Sequence, residues 1–190
     1  MLDFLTQLDH LILYQINSAF THSILDVFFL GITDLHKTLS FKVITIPLFA
    51  FLFIKKYKRE GVSLFLILFL ALGVNDFIGG KVKKVVSRPR PEFNSDIKIN
   101  KRSDAGSYSF YSNHSANMFT FATYTSQFIP QLKIPLNVVA SLVAYSRVYN
   151  GVHYPSDIFT GSIIGYAWGL LFSNLAKKLL SIIKKRKPEK

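Results

Sequence analysis

"GVSLFLILFLALGVNDFIGGKVKKVV", residues 61–86, carries no charged residue before Asp76 and then runs out in Lys81, Lys83 and Lys84. About 20 apolar residues cross the hydrocarbon core of a bilayer as a helix, so this stretch reads as a membrane span. Its neighbours repeat the pattern. "LSFKVITIPLFAFLFI" (39–54) stops at the basic "KKYKRE", 114–129 and 134–149 are separated by the turn "PQLK", and 157–175 is the last apolar block. The expected fold is all-α: one domain over 1–190, a polytopic membrane helical bundle of about five to six transmembrane helices. At the start, Leu5, Leu8, Ile12 and Ile16 recur at helical spacing, which predicts an amphipathic helix lying in the membrane interface. "SILDVFFLGI" continues that collar or forms a first span. Asp3 and Asp9, with no basic segment ahead of them, argue against a secretory signal.

Composition agrees with burial in lipid. Of 190 residues, 49% are hydrophobic, 18 are Phe and 18% are charged, against about 25% charged in an ordinary soluble domain. There is no cysteine, so disulfides and thiolate metal sites are excluded. The net charge of +12 would first suggest nucleic acid. Here, however, the cations sit between apolar blocks and form no soluble face, so no nucleic acid is expected. Membrane lipids are the expected surroundings. If the 55–60 loop, the 131–133 turn and the C-terminal tail share one side, that side holds twelve Lys and Arg and the other nine. The positive-inside rule then puts the tail in the cytoplasm, and the nine cations outside need a second reason to be there.

That reason is legible in three segments that the topology brings to the outer face. "KVKKVVSRPRP" offers Lys81, Arg88 and Pro89; "SNHS" offers Ser112, Asn113 and His114 at a helix start; "SRVYNGVHYPSD" offers Ser146, Arg147, His153 and Asp157. Phosphoryl transfer suits these residue types. Its transition state spreads negative charge over three equatorial oxygens, which Lys81, Arg88 and Arg147 could clamp. Ser112 and the backbone around Asn113 add donors at a helix N-terminus. His153 is the nucleophile candidate, because Asp157 four residues on can hold its Nδ1–H and leave Nε2 free. His114 then serves as general acid, and as base toward water.

These segments resemble the three motifs of the type 2 phosphatidic acid phosphatase (PAP2) superfamily, with spacings K-x6-R-P, P-S-x-H and S-R-x5-H-x3-D. The first and third match throughout; in the second, Tyr111 stands where Pro is usual and Asn113 fills the variable position. The resemblance implies a metal-independent membrane phosphatase, without cofactor, that acts on a lipid phosphate through a phosphohistidine. It further implies a bacterial inner-membrane protein with its active site facing outward. Lys98, Lys101 and Arg102 tilt the expected substrate to lipid A 1-phosphate, with undecaprenyl diphosphate and phosphatidylglycerol phosphate as alternatives and lipid phosphotransfer as a variant of the chemistry. A non-catalytic binder of phosphorylated lipids would use the cations but not the His153–Asp157 pair.

Several residues have blander readings. Lys83, Lys84 and Arg90 read at least as well as solvated or lipid-phosphate contacts as they do as site cations. Asn75 and Asp76, polar within a span, either tie helices together or touch substrate. His10, His22 and His36 read as interfacial, and the basic tail as a topology anchor.

Overall fold

A computed structural model describes residues 2–35, 38–95 and 97–186, and every regular element in them is helical. The helices are α1 (Leu2–Tyr14), α2 (Ser23–Asp34), α3 (Leu39–Tyr57), α4 (Arg59–Val86), α5 (Asn113–Phe128), α6 (Lys133–Tyr149) and α7 (Pro155–Arg186). A π-helical turn, Gln15–Ala19, extends α1, and short 3-10 turns occupy Pro91–Phe93 and Pro130–Leu132. The segment Arg59–Phe93 and the segment Pro155–Lys184 are each long and apolar enough to cross a membrane, and Phe4–Ala19 with Ser23–Asp34 meets that test jointly, bent by 115°. The all-helical reading therefore holds.

Local signals explain the boundaries. Thr38 caps α3, its hydroxyl accepting from Phe41 N at 3.2 Å; Ser112 caps α5, accepting from Ser115 N at 3.4 Å. Such caps satisfy amides that have no partner in the first turn. α4 opens on Glu60 and closes on Lys83 and Lys84, charges that complement the helix dipole. Pro155 starts α7, where its missing N–H costs nothing. This helix runs well past the expected end of the last span at 175, and Lys184 pairs with Glu60 at 3.4 Å. At the C-terminus of α5 the carbonyl of Phe128 accepts from Lys56 Nζ at 2.7 Å and Tyr57 Oη at 2.9 Å.

The packing is that of a membrane bundle. Many large apolar side chains, Leu66, Leu70, Val138, Phe159 and Ile163 among them, are exposed, because the surrounding lipid is as apolar as they are. Helices then associate through small residues that let backbones approach. Gly161, Gly165 and Gly169 lie four apart on α7 and face α5. A Cβ on Gly161 would stand 2.6 Å from Ser112 O, one on Gly169 would stand 2.7 Å from Thr123 Cβ, and one on Gly165 would meet the Ala116 carbonyl oxygen. Gly165→Val should separate the two helices and lower stability by about 3 kcal/mol, read as a drop in the unfolding midpoint in detergent micelles. An unchanged midpoint would show that the seam can yield.

One apolar cluster, around Phe53, Leu64, Leu68, Tyr124 and Phe128, holds α3, α4 and α5 together. At the other end of α5 the interior is polar, and the 87–112 connection covers it. α1 does not lie with its apolar stripe against the protein. Leu5, Leu8 and Ile12 face outward, while Asp9, Leu13 and Asn17 are buried. Asn17 is bonded into the bundle, donating to Tyr149 O at 2.8 Å and Asn100 O at 2.9 Å. An apolar exterior and a polar interior reverse the usual amphipathic logic, as lipid surroundings demand.

Candidate active site

His153 and Asp157 stand one turn apart where the 150–154 connection enters α7. His153 Nδ1 lies 3.3 Å from Asp157 Oδ2. The same oxygen accepts from Tyr154 N at 2.9 Å and from the Ser109 hydroxyl. An ionised carboxylate takes hydrogen bonds and gives none, so the imidazole proton resides on Nδ1 and the lone pair on Nε2. That lone pair meets Arg90 Nη1 at 3.2 Å. His153 is 2% exposed, and its pKa is pushed well below the ordinary 6.5, chiefly by burial, with Arg90 and Arg147 adding to the effect and Asp157 opposing it. The ring is thus a neutral imidazole with its free nitrogen aimed at cations, the state a nucleophile requires.

The depressed pKa has a consequence for stability. Below pH 6.5 the unfolded chain takes a proton that folded His153 refuses, so the folded state loses ground on acidification. The slope from this one group reaches about 1.4 kcal/mol per pH unit. His153→Asn should flatten the pH dependence of the unfolding free energy between neutrality and mild acid; an identical slope in both proteins would contradict the shift.

A cavity of about 810 Å³ reaches His153. Its polar end is lined by Lys83, Arg90, His114, Arg147 and His153, with Asp76, Asn113 and Asp104 also on its walls. It continues between α3, α4 and α5 along Ile46, Phe49, Phe65, Phe69, Leu72 and Phe121. Arg147 is 2% exposed; Nη1 donates to Thr33 Oγ1 at 2.8 Å, while its buried Nε has no hydrogen-bond partner among the described residues. Arg90 is held by carbonyls on both sides: Gly106 at 2.7 Å, Ser107 at 2.9 Å and Val152 at 2.6 Å. Lys83 bonds the carbonyls of Tyr108 and Ser109 at 2.9 and 3.0 Å. Desolvated cations around one void, with a buried N–H left over, form a site suited to an anion.

The residues expected from sequence divide. His114, Asn113, Arg147 and His153 meet at this cavity, and Asp157 backs His153. Ser112 is fully buried beneath it, its hydroxyl accepting from Ser115 Oγ at 3.1 Å and its N–H bonding Asp157 O at 3.1 Å. The side chain of Asn113 donates to Asp76 Oδ1 at 3.1 Å, as Asn117 does at 2.9 Å; Asp76 therefore ties α4 to α5 and also borders the void.

Lys81 and Arg88 are not on the cavity wall. Lys81 is exposed, its ammonium 5.4 Å from the Phe77 ring centroid, and Arg88 is engaged by Asp9 and Asp157. Lys83, Arg90 and Pro91 repeat the K-x6-R-P spacing two residues later. Two residues are about 200° of helix rotation, so Lys81 and Lys83 point to opposite faces and only the second points inward. Spacing alone cannot choose between overlapping copies.

Other expectations also shift. Lys101 pairs with Glu92 at 2.7 Å and Asp104 at 2.9 Å, and Arg102 with Asp26 at 2.8 Å, so two of the three cations that favoured a 1-phosphate headgroup are already neutralised. His22 caps α2, accepting from Ile24 N at 3.2 Å, and His10 stacks on Tyr154. His36 lies outside the described residues. Ser109 and Asp9 belong to none of the three motifs; Ser109 lies three residues before Ser112, and Asp9 has no motif residue near it in sequence.

Residues 63–180 match the PAP2 superfamily. The chain belongs to that family. It is 27% identical over 99% of its length to a lipid A 4'-phosphatase of Bacteroides thetaiotaomicron, covering 85% of that protein. It is 29% identical over 78% of its length to the lipid A 4'-phosphatase of Porphyromonas gingivalis, of which it spans 64%. Among solved structures it resembles a transmembrane PAP2-type phosphatidylglycerolphosphate phosphatase from Bacillus subtilis, with a TM-score of 0.73 at 25% identity, covering 92% of this chain and 87% of that one.

Proposed function

We propose that this PAP2 protein hydrolyses a phosphate ester of a membrane lipid through a phosphohistidine on His153. The observation that carries the reading is one cavity that joins His153, three buried cations and an apolar groove. The phosphate would sit among Lys83, Arg90 and Arg147, and the acyl region along the groove. Nε2 attacks phosphorus as the bond to the lipid oxygen breaks, and His114 gives that oxygen its proton. Water then attacks phosphorus, His114 takes the water's proton, and the P–N bond breaks to release phosphate and free His153. Asp157 supports the positive charge on the ring while the bond to phosphorus exists.

Lipid A is the proposed substrate. Likeness to lipid A 4'-phosphatases favours the 4'-phosphate, and the neutralised Lys101 and Arg102 weaken the argument for the 1-phosphate. In this reading α3 to α7 each cross the bilayer, the site faces the extracytoplasmic leaflet of a bacterial inner membrane, and the end of α7 lies in the cytoplasm. The test is phosphate release by the purified protein, with chelator present. The panel holds lipid A phosphorylated only at the 1 or the 4' position, undecaprenyl diphosphate and phosphatidylglycerol phosphate. The expected outcome is fastest release from the 4'-phosphate. Preference for another lipid would overturn the substrate, and strict dependence on added metal would overturn the mechanism.

A further inference from the structure

α1 reaches the site from the far end of the chain. The guanidinium of Arg88 is strung between two carboxylates, Nη1 donating to Asp157 Oδ1 at 2.7 Å and Nη2 to Asp9 Oδ2 at 2.6 Å. Ser156 closes the ring. Its hydroxyl accepts from Arg88 Nη1 at 2.7 Å and donates to Asp9 Oδ2 at 2.6 Å, and its N–H donates to Asp9 Oδ1 at 2.8 Å. The guanidinium carbon also lies 3.8 Å from the centroid of the Tyr154 ring, which His10 stacks upon from the other helix. Apart from the Arg88–Asp9 pair itself, these contacts land on residues 154–157, the stretch that carries Asp157 beside His153.

We propose that Asp9 and Arg88 are positioning residues of the catalytic centre, holding Asp157 as an aimed anion behind His153 and making α1 part of the catalytic apparatus. The proposal rests on the phosphohistidine reading above.

Charge counting supports it. Asp157 is fully buried, and a buried carboxylate without a cation would take up a proton instead of remaining charged. Arg88 supplies that cation. Alone, it would also cancel the negative charge that His153 needs when its ring turns positive. Asp9 offsets this by occupying the second arm, so the trio carries one net negative charge, as a single free carboxylate would, but with its geometry fixed. The other cations near His153, namely Lys83, Arg90 and Arg147, face the cavity and the arriving phosphate. Arg88, with both terminal nitrogens committed, does not.

The test compares Asp9→Asn, Asp9→Glu, Arg88→Lys and His153→Asn in the full chain in detergent, with 4'-phosphorylated lipid A as probe. Rates are referred to the monodisperse folded fraction. Asp9→Asn and Arg88→Lys should each lower kcat roughly tenfold to a hundredfold, the loss typical when an outer partner of a functional imidazole is removed, with KM within about twofold. Asp9→Glu, keeping the charge, should recover most of the Asp9→Asn loss, which a merely structural contact would not require. A raised KM with unchanged kcat in Arg88→Lys would return Arg88 to phosphate binding and overturn the proposal. So would wild-type kcat in both Asp9→Asn and Arg88→Lys while His153→Asn is inactive. Phosphate release by His153→Asn near the wild-type rate would instead overturn the underlying phosphohistidine reading.

Discussion

His153→Asn is expected to leave a folded protein that still takes up lipid but turns it over at least about 10⁴-fold more slowly, the scale on which a covalent nucleophile is missed. Asparagine keeps a polar group beside Asp157 and Ser109, which otherwise lose their shared partner, so the fold is spared. It offers no ring nitrogen that can attack phosphorus. Rapid quenching with labelled substrate should trap an acid-labile, base-stable phosphoryl group on the wild-type chain and none on the variant. A trapped phosphoryl group on His153→Asn would move the nucleophile elsewhere, and His114 would be the next candidate on the same cavity.

The second large effect separates the two overlapping copies of the first motif. Arg90→Ala should cost about 10² to 10³ in kcat, comparable to deleting one preorganised donor from a transition-state site, because its Nη1 lies 3.2 Å from Nε2, within donor reach of a phosphoryl group bound there. Arg90→Lys should recover only part of this. A lysine keeps the charge but cannot hold three carbonyls and present a forked donor at once. Lys81→Ala, by contrast, should stay within about threefold of wild type, since that side chain is exposed and rests on Phe77. Steady-state rates for the three variants decide the matter. The reverse order of effects would restore the earlier copy, Lys81 with Arg88.

Much of the protein could be read without coordinates. Long apolar blocks closed by basic residues name helices in lipid, since no other backbone arrangement in such a chain satisfies its amides there except a closed barrel. His153 and Asp157 are four apart, so the start of a single helix brings them together. Ser112 before His114 is equally local, a cap and the residue two beyond it. What proximity along the chain delivers, the sequence itself determined: the membrane bundle, the three motifs and the imidazole–carboxylate pair.

The tertiary structure decided the rest. Whether Lys81 or Lys83 faces inward depends on the rotation of α4 against α5, which Asp76 and Asn113 set across the helix interface. Arg88 turns from the cavity toward Asp9 because α1, with Asp9 79 residues earlier, docks on the start of α7 with its polar face inward. The 87–112 connection brings Ser109 to Asp157 and pairs Lys101 with Glu92 and Asp104 and Arg102 with Asp26 of α2, so their charge is no longer available to a headgroup. Apart from the bonds of Lys101 to Glu92 and Asp104, these outcomes are competitions among polar and charged partners distant in sequence. Spacing does not record which partner wins, because the winner is the one the folded backbone carries within hydrogen-bond reach.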